Sequence, residues 1–186
     1  RLVAGPAERL LRNGDRPILL ARPGPREPGY YKNVLIPTTL DGVTEPALAS
    51  TADVAAPDSH VELLHCSHPV ARPAPQATLP PLRMASREQL SRIVDERARS
   101  VVSQAESALP GARVDLEHLF APAAAGIRRR MADDQFDLVV MRSHGRSGVR
   151  RLLFGSVAEQ TLRSAPCSVL VVPDRSPDRP RPGELG

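Results

Sequence analysis

The stretch "MRSHGRSGVRRLLFGSVAEQTLRSAPCSVLVVP", residues 141–173, gathers groups suited to holding an anion. Gly145 and Gly148 permit tight turns with outward-facing amides, and successive amides of that kind form anion-binding nests. Ser156 then stands at a helix start with Glu159 three residues on, the spacing of a capping box. The first amides of a helix lack an intrahelical acceptor. A phosphate would accept hydrogen bonds from them and from the Ser156 hydroxyl, with the helix dipole adding a favourable contribution. Arg142, Arg146, Arg150 and Arg151 would supply charge-assisted bonds. The same residues also describe an ordinary strand-to-helix turn followed by a capped helix, and both readings stand at this point.

Other chemistry finds less support. Hydrolysis of a phosphoanhydride needs a positioned water or nucleophile, a base and usually a metal. His144 lies in the glycine turn, either within reach of a phosphate or as a solvent-facing loop residue, and there is no Walker pattern with its lysine. His60, His65 and His68 do not form a convincing metal set, since a strand and Pro69 separate them without a carboxylate partner. Cys66 beside His65 would point to the opposite face of a strand, so it reads as a buried thiol rather than a nucleophile. The sequence therefore points to a binding protein, not an enzyme, with no metal. Cys66 and Cys167 both sit in apolar runs, which suits free thiols in a reducing compartment and a cytoplasmic setting.

The net charge is +4, but the basic run "GIRRRMADDQ", residues 126–135, places Arg129 and Arg130 at helical spacing from Asp133 and Asp134. It reads as a solvated face. With two Tyr, three Phe and no Trp, the chain lacks a stacking platform for nucleic acid, and no nucleic-acid partner is expected. No apolar stretch approaches the roughly 20 residues of a membrane span, so no membrane partner is expected either.

The elements that must position these groups follow from apolar periodicity. The run 34–38 in "YKNVLIPTTLD" predicts a buried strand. A helix is expected over 44–57, with Thr44 as cap and Pro57 as stop, then a strand over 60–67. The prolines of 68–86 forbid an interior helix and predict a surface loop. Ser86 and Gln89 form a second capping box. The helix it opens carries Leu90, Ile93, Val94, Val101, Ala105 and Leu109 near helical spacing and stops at Pro110 and Gly111. A strand over 112–120, a helix over 123–134, a strand over 136–143, a helix from Ser156 and a strand over 167–173 complete the series. Five strands alternating with helices describe an α/β fold, an open five-stranded mostly parallel sheet with helices on both faces. Such sheets bind ligands beyond the carboxyl ends of their strands.

Residues 2–23, "LVAGPAERLLRNGDRPILLARP", can be laid without gaps on 153–174, "LFGSVAEQTLRSAPCSVLVVPD". Leu2, Ala7, Glu8, Leu11, Arg12 and Leu19 then match identically, while Ile18 and Leu20 match in character. The correspondence spans a helix and a strand in the same order. It predicts that residues 1–23 are the closing helix and strand of a preceding homologous domain, 24–30 a linker, 31–173 the main domain and 174–186 a disordered tail rich in Pro and Arg.

Residues 31–173 resemble the universal stress protein family, small α/β proteins of the adenine nucleotide alpha hydrolase-like fold, some of which bind ATP. The family's nucleotide signature is a glycine, two residues, a second glycine, nine residues, then glycine with serine or threonine. Here Arg142 stands at the first glycine, Gly145 at the second, and Gly155 with Ser156 after nine residues. The family's first strand resembles "ILVPTDGS", whose aspartate helps hold adenosine. This chain has "VLIPTTLDG", with Thr39 at the aspartate position and Asp41 two residues late. The resemblance implies adenine-nucleotide contacts at Pro37, Thr38, Thr39, Met141, Arg142, His144, Gly145, Gly155, Ser156 and Val157.

Threonine cannot accept two hydrogen bonds from a ribose as a carboxylate does, and arginine brings a Cβ where glycine permits unusual backbone angles or close approach. The expected function is therefore a stress-response regulatory or association module with ATP binding weakened or lost. The alternative is an ATP-binding sensor. The family commonly pairs through its last strand, which implies a homodimer or tandem-domain pairing within one chain: "CSVLVV" is an exposed edge if it ends the sheet, and residues 1–23 would either cover the edge of Val169 to Val172 or promote dimerisation.

Overall fold

Val34, Leu35 and Ile36 are all at most 1% exposed, because alternate side chains of their strand enter two different cores. That strand is central in the computed structural model of the chain, which describes residues 16–22, 30–40, 45–67, 87–132, 135–143 and 156–173. The strands are β1 (Ile18–Leu20), β2 (Tyr31–Thr38), β3 (Ala55–Ser67), β4 (Arg113–Phe120), β5 (Leu138–Ser143) and β6 (Ser168–Pro173). The helices are α1 (Glu45–Ala52), α2 (Arg87–Ala108), α3 (Ala123–Met131) and α4 (Ser156–Ser164). The sheet runs β1-β6-β5-β2-β3-β4. Every neighbouring pair is parallel except β1 with β6.

One core lies between the sheet and helices α1 and α2, where Val34, Ile36, Leu63, Val140 and Leu170 meet Leu48, Val101 and Ala105. The other lies beneath α3 and α4, where Leu35, Leu64, Val139, Met141 and Val169 meet Ile127, Met131 and Ala158. This is the expected α/β sheet covered on both faces, with six strands rather than five. The sixth is β1, which lies along β6, so β6 is not the edge of the sheet. β1 falls within residues 1–23, where the internal correspondence placed a strand.

Two boundaries also differ from expectation. The first helix ends at Ala52, and a turn at Asp53 and Val54 leads straight into β3, so Pro57 lies in a strand instead of stopping a helix. The register between β2 and β3 slips there, from Tyr31 opposite Ala55 to Asn33 opposite His60. A proline is tolerated in such an irregularity because no ladder bond is asked of it. Gly111 closes against this same corner with φ +91°, and a Cβ on it would sit 2.8 Å from the Pro57 carbonyl oxygen. Gly111→Ala is expected to cost about 1–2 kcal/mol from the backbone conformation alone. A lowered urea midpoint checks this, and an unchanged midpoint would contradict it.

The basic run of α3 also behaves differently from expectation. Arg128 and Arg129 are exposed, but Arg130 turns inward and donates from Nε and a terminal nitrogen to the two carboxylate oxygens of Glu62, both at 2.7 Å. Asp133 and Asp134, the partners suggested by helical spacing, lie outside the described residues. The Glu62 side chain is 6% exposed, and the Arg130 guanidinium also lies 5.2 Å from the centre of the Phe136 ring.

The join between β2 and β5 is short. Only Val34 with Leu138 and Leu35 with Val139 are paired, against seven pairs between β2 and β3. Its amino-terminal end is clamped by Asp137, whose carboxylate accepts from the Lys32 and Asn33 amides at 3.0 and 3.1 Å. The Asp137 amide donates to the Asn33 carbonyl at 2.9 Å. Nothing comparable pairs the two strands beyond Leu35 among the described residues, and there the sheet opens. No helix among the described residues is long and apolar enough to cross a membrane.

Candidate functional site

From β2 the chain proceeds to β3 and β4 on one side, then crosses back to β5 and β6 on the other. Connections leave β2 and β5 in opposite directions, which is the switch point where open α/β sheets form a ligand crevice. A cavity of about 280 Å³ occupies this place. Pro37, Thr38 and Thr39 from the end of β2 line it, with Met141 and Arg142 from β5 and Ser156 and Val157 from the start of α4. The structure thus brings together these seven sequence-predicted residues, far apart in the chain. His144, Gly145 and Gly155 lie outside the described residues, as do Arg146, Gly148, Arg150 and Arg151. Ser156 is the first residue of α4.

The remaining walls come from Leu64, His65 and Cys66 of β3, Ala123 and Ile127 of α3, and Ala158 of α4. Sequence reasoning did not assign them to the site. The rule that ligands lie past strand ends pointed to the end of β3, but alternation alone read Cys66 as a buried core thiol. For α3 there was no signal, because which helix overhangs the crevice is a tertiary matter. Cys66 is half-buried, and neither it nor Cys167 forms a disulfide. Burial raises the Cys66 pKa, so at neutral pH it is a thiol and a weak nucleophile. Its sulfur fits beneath α3 because residue 126 is glycine, where a Cβ would lie 2.5 Å from Sγ.

Neighbouring hydrogen bonds fix the rim. The Thr38 hydroxyl accepts from the Leu40 amide at 3.3 Å, in a turn where Leu40 has φ 62°. The Thr38 carbonyl lies 3.0 Å from His65 Nδ1, and a carbonyl only accepts, so His65 carries its proton on Nδ1. His65 stacks obliquely near His118, ring centres 5.4 Å apart, and His118 Nε2 lies 2.7 Å from the Ser67 hydroxyl. Burial, then the charge of His65, lowers the His118 pKa, while Asp95 and Glu117 oppose the shift. The other histidine of the sheet, His60, pairs with Asp115 at 2.9 Å, and His68 lies outside the described residues.

The crevice is mainly apolar, with polar groups on Thr38, Thr39, His65, Cys66, Arg142 and Ser156. Burial lowers the Arg142 pKa, yet a guanidinium remains charged at neutral pH. No Asp or Glu is among the described residues that line the cavity. Its volume is at the small end for ligand sites, and its chemistry suits an apolar or aromatic body with a negative group directed to Arg142 and the start of α4.

The universal stress protein family model matches residues 30–173. A universal stress protein of Methanocaldococcus jannaschii is 29% identical over 145 residues, covering 76% of this chain and 82% of its own length. Among solved structures, a universal stress protein from Archaeoglobus fulgidus aligns with a TM-score of 0.58 at 15% identity, covering 93% of this chain and 55% of that one. A universal stress protein in complex with cAMP aligns with a TM-score of 0.54 at 17% identity, covering 78% of this chain and 98% of its own.

Proposed function

Because the chain belongs to the universal stress protein family, we propose that it is a regulatory or association module of that family, not a catalyst, whose crevice has its affinity for ATP weakened or lost. The observation that carries this reading is the crevice wall itself, which presents Thr39 and Arg142 and no carboxylate among the described lining residues. A ribose diol placed against Thr39 finds one hydroxyl where an aspartate would offer two charged acceptors. Arg142 adds charge for phosphate but fills space beside the turn. Two cysteines in apolar surroundings and outside any disulfide support a cytoplasmic setting. Function then rests on association at the last strand of the sheet, along which β1 of the same chain lies. The sensor reading draws on the persistence of a cavity of about 280 Å³ and on the cAMP held by the solved relative.

Isothermal titration with magnesium ATP separates the two. Weak binding, with Kd in the high micromolar range or above, is the expected result. A Kd near 1 µM, about −8 kcal/mol, would establish the sensor instead. Cys66 supplies an independent report, since it lines the crevice. Any ligand seated there is expected to slow alkylation of Cys66 by iodoacetamide in proportion to occupancy, as read by peptide mass spectrometry. A saturating ligand that leaves the rate unchanged would place its binding elsewhere.

A further inference from the structure

Among the described residues that line the crevice, Arg142 at the end of β5 carries the one permanent charge. Leu64, Ile127 and Met141 also line it, are at most 5% exposed, and belong to one apolar core. A charge entering such a place loses hydration, and each ionic group must recover it from a partner. A triphosphate asks for several partners. One carboxylate is matched by one guanidinium, whose planar fork forms two parallel bonds with it.

Size points the same way. At about 280 Å³ the cavity lies at the small end of ligand sites, which run to about 1,000 Å³. Filled to an interior packing density of about 0.75, it holds roughly a dozen non-hydrogen atoms. That is less than a nucleotide and close to the bulk of a phenyl ring with a short acid arm.

We propose that the crevice binds a small organic monocarboxylate with an apolar body, and that Arg142 selects the acid; this rests on the reading that ATP affinity is weakened or lost. The two positions that count against a nucleotide both favour such a ligand. An aspartate at position 39 would set a like charge against an incoming acid, whereas Thr39 offers a hydroxyl that donates to it. Arg142 supplies the counter-charge. The Ser156 hydroxyl, on the same wall, can donate to a remaining lone pair, since a carboxylate has about four acceptor sites. The apolar body then lies between the sheet and α3, against Leu64, Met141 and Ile127.

The probes are 3-phenylpropanoate and its neutral amide, titrated calorimetrically into the full chain at neutral pH. The acid is expected to bind with a Kd of about 1 mM or tighter. It should bind about tenfold or more tighter than the amide, the effect of a charge-assisted bond. Bound acid should also slow alkylation of Cys66, which lines the same cavity. Arg142→Gln is expected to weaken the acid alone, and its retained amide binding reports an intact crevice. Thr39→Asp should weaken the acid about tenfold and spare the amide. Ala123→Leu, which fills the cavity without touching a charge, should weaken both alike.

Equal affinity for acid and amide in the unaltered chain, no binding of either, or acid binding that leaves Cys66 unprotected overturns the proposal and leaves the reading of ATP standing. Tight binding of magnesium ATP in the same titration overturns that reading, and the proposal with it. Arg142→Lys keeps the charge but not the fork, so it decides the matter if Arg142→Gln loses its fold by circular dichroism. It is expected to keep a reduced preference for the acid, and an unreduced one overturns the proposal.

Discussion

Thr39→Asp combined with Arg142→Gly is expected to raise the affinity for magnesium ATP about 10- to 100-fold. A hydrogen bond to a charged acceptor contributes about 1.5–3 kcal/mol, and about 1.4 kcal/mol is a factor of ten in Kd. Thr39 already lines the crevice at the end of β2, so an aspartate there needs no rearrangement of the strand to meet a ribose. The glycine acts differently. It removes a half-buried side chain from the end of β5 and returns backbone freedom to the residue leading into the glycine turn. Isothermal titration of the two single variants and the double variant assigns the gain. Thr39→Asp should carry most of it, and Arg142→Gly alone should change affinity less, because it also withdraws a cation from the phosphates. An unchanged Kd in the double variant would show that Thr39 and Arg142 do not set nucleotide affinity. Glycine within a strand weakens it by about 0.5–1 kcal/mol, so circular dichroism should accompany the titration.

Arg130→Met is expected to destabilise the fold by about 3–5 kcal/mol, the usual result of leaving a buried carboxylate without its cation. Glu62 sits in β3 under α3, and its two oxygens receive a matched pair of bonds from one guanidinium. Over a domain of this size each kcal/mol moves the melting temperature by about 2–4 °C, so a fall of roughly 6–20 °C should be seen in a thermal melt. The control is Glu62→Leu with Arg130→Met. An apolar pair in that position removes both charges, and most of the lost stability should return. If the double variant is no more stable than Arg130→Met, the loss comes from the packing of Arg130 on Phe136 rather than from the unpaired carboxylate.

What could be read in the sequence was what repeats along it. The apolar run of β2, the alternation of β4 and the spacing of Val101 and Ala105 on α2 with Leu109 just past its end each declare a strand or helix within a few residues. The crevice was legible where it depends on strand ends and a helix start, so Thr38, Thr39, Arg142 and Ser156 were identified and do meet. Contacts made across layers were not legible. Helical spacing offered Arg130 nearby aspartates, whereas its partner Glu62 is 68 residues away in a strand. Cys66 looked like core because the half-space above it is set by α3, and Gly126 shows its purpose only once that helix is in place. Pro57 misled for a related reason, since a proline that ends helices is also accepted at a slipped register.

The short join between β2 and β5 gives the sheet the mechanics of two plates with a narrow weld. One plate is β2, β3 and β4, the other β5, β6 and β1, and the weld consists of two residue pairs backed by Asp137 at one end. Rotation about such a weld would move little near Asp137 and most at the far end, where Thr39 and Arg142 both line the crevice. A molecule lodged between them touches both plates at the longest lever arm, so a small change in its size becomes a change in the angle between the two plates.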